Sequence, residues 1–414
     1  MIELDTLYQQ SQGAAAFVST TYTRELLQRI DWKHRLIAIR GPRGVGKTTL
    51  LLQHLKLNYS NSPKALYVTL DDFFFTENRL IDVAKEFYAK GGKVIYLDEV
   101  HKYPQINWAQ EIKNIYDLLP KLKVAFTGSS ILKILNEQAD LSRRALIYDL
   151  QGLSLREYID LTENKNLPVF SFEEIINHHH ELASQIVHDY DLHPLQFFQT
   201  YLQEGYYPFF LENRDIYLYR VREVLKLIIE VDLNYLPDYT ITDHVKINRL
   251  LYAIASSAPF KPNISKLSER IALNRNRLTE YIYLLERARL LNLMHSRRKG
   301  VSSLQKPEKI YLENTNIAYA LAPTQVNHGS LRETFFLNQL SAPQPGRPFP
   351  LVITYPEKGD FLVDNFENSY LFEVGGKNKD LRQVGSEENA FIAADGIEIG
   401  FGRKIPLWLF GFLY

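Results

Sequence analysis

Cysteine is absent from this chain, and disulfides, thiolate nucleophiles and cysteine-ligated zinc are excluded with it. Net charge is missing too. The 48 Lys and Arg residues are offset by 48 Asp and Glu, so no global field draws the molecule to nucleic acid, and any such surface must be local. No apolar run approaches the ~18 residues of a membrane span. The opening Met1-Ile2-Glu3-Leu4-Asp5 lacks the basic and apolar stretches of a secretory leader. A cytoplasmic protein without membrane contact is expected. At 414 residues the chain exceeds one ordinary core, which calls for about two to four domains.

One stretch organises what is present: Gly41-Pro42-Arg43-Gly44-Val45-Gly46-Lys47-Thr48, with Thr49 opening a helical pattern and Leu36-Ile37-Ala38-Ile39 forming an apolar strand before it. This is the spacing of a phosphate-binding loop in strand–loop–helix context. Its glycines let successive backbone N–H groups turn inward onto phosphate oxygens, and the helix start adds the positive end of its dipole. Lys47 is expected on the β- and γ-phosphates of ATP, with the Thr48 hydroxyl on Mg²⁺. A partner motif follows at Lys93-Val94-Ile95-Tyr96-Leu97-Asp98-Glu99, an apolar run ending in two carboxylates. It reads as a central parallel strand that delivers Asp98 to the Mg²⁺ and Glu99 to the attacking water as general base.

Lys64–Leu70, Lys121–Ser130 and Ala145–Leu150 read as further strands alternating with helices, so an α/β fold with a parallel sheet is expected. In the additional-strand class of P-loop ATPases a polar sensor of the γ-phosphate ends the fourth strand. Ser129 or Ser130 fits that position, and a serine there serves equally as a helix N-cap.

Leu97-Asp98-Glu99-Val100-His101, Trp108-Ala109-Gln110-Glu111-Ile112-Lys113, Phe126-Thr127-Gly128-Ser129-Ser130 and Leu153-Ser154-Leu155-Arg156-Glu157-Tyr158 together resemble bacterial and archaeal AAA-type ATPases fused to a carboxyl-terminal region of unknown function. The resemblance spans essentially the whole chain. It implies an arginine just before the fifth strand, where Ser142-Arg143-Arg144 stands and Arg144 is the closer match. Such an arginine would touch a γ-phosphate in cis or on a neighbouring subunit, the latter requiring a homo-oligomer. A solvated basic pair is the other reading of Arg143 and Arg144.

Four parts are expected: the ATPase core at 1–159, a helical lid at 160–240, a winged helix-turn-helix at 241–325 and a small α/β domain at 326–414. In the third, residues 261–310 carry 12 Lys or Arg against 4 Asp or Glu, a surplus of 12 − 4 = 8. Arg275 and Arg277 open its recognition helix, and Arg297, Arg298 and Lys299 lie in its wing. Double-stranded DNA is the expected partner; packing on the ATPase core is the alternative use of the module. In the fourth part Glu333, Asp360 and Glu373 resemble the acids of the PD-(D/E)XK nuclease fold, which bind Mg²⁺ beside a lysine. The chain departs from that pattern, because Gly375 stands where the lysine should be and Lys377 is the nearest lysine. The functional expectation is Mg²⁺-dependent ATP hydrolysis to ADP, coupled to a DNA-binding module. A slow nucleotide switch and an ATP-gated nuclease remain as alternatives.

Overall fold

The computed structural model describes residues 4–105, 107–128, 141, 143–235, 244–256, 263–297, 306–347, 349–380 and 389–414. The chain divides into two compact units, residues 1–152 with 235–239, and residues 153–234 with 240–414.

In the first unit the described strands are β1 (Leu36–Arg40), β2 (Ala65–Thr69), β3 (Val94–Asp98), β4 (Lys123–Gly128) and β5 (Leu146–Asp149). They pair in parallel in the order β2-β3-β4-β1-β5. β1 and β3 sit inside the sheet because they are apolar on both faces: Leu36, Ile37, Ala38 and Ile39 are buried, as is every residue of β3. Helices Lys47–Tyr59 and Trp108–Leu118 are among those that cover it. Register aligns the strand ends, with Thr69 opposite Asp98, and Arg40 opposite both Gly128 and Asp149. Chemistry-bearing residues therefore collect along the carboxyl edge, where open parallel sheets bind ligands.

The second unit begins with helices Leu155–Glu163, Phe172–His188, Pro194–Glu204 and Tyr217–Glu230. Ser154 with Glu157, and Ser171 with Glu174, form capping boxes that fix where the first two start. Helices His244–Ala255, Ile264–Ile271 and Arg275–Arg287 follow, then an antiparallel hairpin of β6 (Leu291–Met294) and β7 (Lys309–Leu312). The last part is a mixed sheet in the order β12-β11-β10-β9-β8, built from β8 (Val352–Thr354), β9 (Phe361–Asp364), β10 (Ser369–Gly376), β11 (Ala390–Asp395) and β12 (Lys404–Pro406). Tyr355 N–H donates to the His295 carbonyl at 2.9 Å, joining the hairpin to this sheet.

The helices read from sequence as a lid are built into this second unit. Asn316, fully buried, donates to the Tyr201 and Leu202 carbonyls at 3.1 and 2.9 Å. It also accepts from Tyr206 N–H at 2.8 Å and the Tyr217 hydroxyl at 2.5 Å. One side chain from the helix after the hairpin (Thr315–Leu321) thus satisfies the ends of two earlier helical segments. Replacing it by leucine takes a hydrogen-bond partner from four polar groups in the core. Asn316→Leu is expected to cost about 3 kcal/mol or more of stability, measured as a lowered urea midpoint of the full chain.

Candidate functional site

β1 delivers the chain to a loop that has no room for a side chain at Gly41, since a Cβ there would lie 2.1 Å from the Leu150 carbonyl oxygen. The loop then turns through Gly44 and Gly46, whose φ angles of 83° and 97° are relaxed only for glycine. Helix Lys47–Tyr59 starts at Gly46 without a side-chain cap, the arrangement an anion satisfies. Lys47 is buried and its ammonium donates to the Gly41 and Pro42 carbonyls at 3.0 and 2.8 Å. Buried Arg24 braces the loop from outside, donating to Val45 O at 3.2 Å, Gln151 O at 3.1 Å and Gly152 O at 3.0 Å. Pro42 is buried beside Gly41, Arg43 is half-buried, and Thr48 and Thr49 are exposed at the helix start.

Asp98, at the end of β3, is 2% exposed and collects hydroxyl groups. Thr48 Oγ1 donates to its Oδ2 at 2.6 Å and the Tyr67 hydroxyl to the same oxygen at 2.8 Å. Thr127 Oγ1 donates to Oδ1, and Glu99 N–H reaches that oxygen at 3.1 Å. Burial, followed by the Asp98 charge, pushes the Tyr67 phenol far up, so it stays a donor. Glu99 follows with φ at 52°, a left-handed conformation that turns the chain sharply off the strand. Its Oε2 lies 3.4 Å from Lys102 Nζ and 3.5 Å from His101 Nε2. Thr48 Oγ1 and Asp98 Oδ2 are adjacent hard oxygens on a loop built for anions, a donor pair that fits Mg²⁺.

Tyr67, Thr127 and Arg24 were not singled out from sequence. Thr127 lies two residues before Ser129, and β-strand register is what brings it to Asp98. Ser129 falls outside the described residues. Arg144 is placed away from the loop, which corrects its in-cis role. β5 pairs Leu146 with Ile37 and Asp149 with Arg40, so Arg144 stands before the strand at its amino edge. Five residues at ~3.3 Å each put it roughly 16 Å from the carboxyl edge. There it forms an ion pair with Asp117 at 3.3 Å.

In the second unit Glu333, Asp360 and Glu373 are gathered with lysines. Lys309 Nζ, from β7, stands between Glu333 at 3.0 Å and Asp360 at 3.4 Å, and the Tyr311 hydroxyl donates to Glu333 at 2.5 Å. Asp360 also accepts from Val374 N–H at 3.0 Å. The lysine on Glu373 is Lys379, at 2.7 Å, which corrects the assignment to Lys377. The turn after β10 closes with Lys379 N–H on the Gly376 carbonyl, leaving Lys377 exposed and folding Lys379 back. Gly375 makes this possible, since a Cβ there would lie 2.9 Å from the Lys379 stem. Burial raises the pKa of Glu333 and Glu373, reinforced at both by the charge of Asp360 and opposed by their lysines. Among the described residues no group of three or more His, Asp or Glu side chains is arranged to hold a metal ion. Lys309 thus stands against Glu333 and Asp360, and Lys379 against Glu373.

On the helix Arg275–Arg287, Arg275 is exposed, while Arg277 is tied back to the Tyr281 hydroxyl at 3.1 Å. Arg297 donates to Ser369 Oγ at 3.2 Å and lies 3.5 Å from Asp364. The hairpin's described arginine thus leans on the carboxyl-terminal sheet. Arg298 and Lys299 lie outside the described residues.

A parallel sheet in this order, carrying this loop and an Asp-Glu pair at its carboxyl edge, defines an α/β P-loop fold. Residues 33–159 match a family described as an AAA domain, and residues 195–327 match a domain of unknown function (DUF8612). An uncharacterized protein of Methanocaldococcus jannaschii is 28% identical over 400 residues, covering 90% of this chain and 82% of that one. Among solved structures, a Walker-type ATPase of Pyrococcus abyssi aligns over 72% of this chain and 95% of its own, 14% identical, with a TM-score of 0.40. The ORC1 protein of Aeropyrum pernix, solved in complex with DNA, aligns over 78% and 93%, 13% identical, with a TM-score of 0.31. Among the described residues no helix is long and apolar enough to cross a membrane.

Proposed function

We propose that the amino-terminal unit hydrolyses ATP, and that its nucleotide state is coupled to a DNA-binding second unit. The observation that carries the hydrolytic reading is the Thr48–Asp98 contact, which joins the loop helix to the end of β3, one residue before Glu99. Lys47 and the loop N–H groups would hold the β- and γ-phosphates, and Thr48 with Asp98 would hold Mg²⁺. Bound there, Mg²⁺ supplies charge neutralisation to the phosphates. Glu99 accepts the proton of the water that attacks the γ-phosphorus; the bond to the bridging oxygen breaks and ADP leaves. Lys47→Ala is expected to weaken ATP binding by about a hundredfold, and Glu99→Gln to keep binding while lowering kcat by about a hundredfold or more. Nucleotide titration beside phosphate release checks both; wild-type turnover in Glu99→Gln removes the base assignment.

Support for duplex DNA as partner comes from the basic surplus at 261–310 and from the exposed Lys266, Arg270 and Arg275 on its helices. Binding should fall steeply with salt. Titrations of the full chain with duplex DNA at two salt concentrations test it. Affinity that ignores salt, or no binding at low salt, leaves the module a packing role.

The acid–lysine cluster favours a nuclease-like fold that does not cleave. Three carboxylates face two ammonium groups, which offset much of their charge, and burial raises the pKa of Glu333 and Glu373. No cleavage of linear or supercoiled DNA is expected with Mg²⁺ or Mn²⁺, with or without ATP. Cleavage that disappears in both Asp360→Ala and Lys379→Ala would overturn this and make Lys379 a relocated catalytic lysine.

A further inference from the structure

The carboxyl edge of the first sheet holds a second charged group that the hydrolytic scheme does not use. Lys102, in the 3-10 turn Val100–Lys102 after Glu99, donates to Asp71 Oδ2 at 2.9 Å and lies 3.4 Å from Glu99 Oε2. Asp71 follows β2 and is fixed in turn by the Thr69 hydroxyl. Thr69 pairs with Asp98 across the sheet, so the chain of contacts runs from one strand end to the next and returns to the base. His101 Nε2, fully buried, approaches the same glutamate oxygen at 3.5 Å. Burial works against the Lys102 charge, but Asp71 and Glu99 outweigh it and raise its pKa, so the side chain remains an ammonium group.

We propose that Lys102 is the positioning residue of Glu99, an ammonium group anchored on Asp71 that holds the general-base carboxylate by one oxygen at the carboxyl edge of β3. A freely rotating glutamate would spend much of its time away from the water, and misplacement by about 1 Å costs proton-transfer steps heavily. A lysine bound to Glu99 alone would hold it as a full ion pair. Shared with Asp71, whose contact is 0.5 Å shorter (3.4 − 2.9), the ammonium is anchored from the end of β2 and reaches Glu99 from a fixed position. The sharp φ of 52° at Glu99 places residues 99 and 102 on the same turn, which lets a lysine three residues on reach back.

The role rests on the hydrolytic reading of the loop site. Full-length wild type, Lys102→Ala, Lys102→Arg, Asp71→Asn and Glu99→Gln are compared for kcat, KM and affinity for a non-hydrolysable ATP analogue, with thermal unfolding alongside. Lys102→Ala is expected to lose about tenfold or more in kcat, with analogue affinity within about threefold of wild type. Lys102→Arg should recover much of that loss, and Asp71→Asn should fall between. Wild-type kcat in Lys102→Ala overturns the role. So does a parallel loss of analogue binding, or an arginine variant no better than the alanine one in an equally stable fold. A wild-type chain that binds the analogue but shows no hydrolysis dependent on Glu99 removes the hydrolytic reading itself, and Lys102 then has no base to position.

Discussion

A carboxylate removed from water must be given back its hydrogen bonds, and at Asp98 that requirement knits the first unit together. The three side chains that supply them come from the loop helix, from β2 and from β4, while the backbone donor is Glu99 itself. Thr48 can reach only if the loop turns through Gly44 and Gly46. Tyr67 and Thr127 can reach only if β2 and β4 flank β3 in parallel register. Sheet order, loop conformation and helix placement must therefore all hold for one buried acid to be satisfied. Arg24 completes the logic from the other side, tying the loop to the chain just past β5.

The second unit relies on a different device, the long-range side-chain bridge. Asn316 closes the ends of helices laid down about a hundred residues earlier, and Lys309 carries a hairpin strand into the acids of the last sheet. Both residues are polar and buried, so removing one partner leaves another stranded. Such bridges explain why helices that precede the hairpin share one compact unit with the sheet that follows it.

The loop and the Asp98 strand were legible because both are local: contiguous residues whose types and spacing state their own geometry. So was the alternation of strands and helices. What escaped the sequence depends on register. Tyr67 and Thr127 are ordinary strand residues until pairing sets them beside Asp98, and Arg144 looked poised only because sequence does not say which edge of a sheet a strand enters. Lys379 escaped for a related reason. The spacing argument assumed a continuous strand beyond Glu373, whereas Gly375 and the turn after it carry a lysine six residues on back to the glutamate.

The two acidic sites obey the same rule and reach opposite chemistry through the charge of their partners. Asp98 is satisfied by hydroxyl groups and a backbone N–H, all neutral, so its hydrogen bonds are met while its negative charge is not cancelled by them. A divalent cation beside it gains the full attraction of a desolvated carboxylate. Lys309 stands against Glu333 and Asp360, and Lys379 against Glu373, so ammonium groups spend much of the same attraction internally. A metal ion entering there would have to displace Lys309 and Lys379 and leave them buried or half-buried without partners, a penalty of several kcal/mol per ion. Neutral donors keep a buried acid available to a cation, and cationic donors use it up.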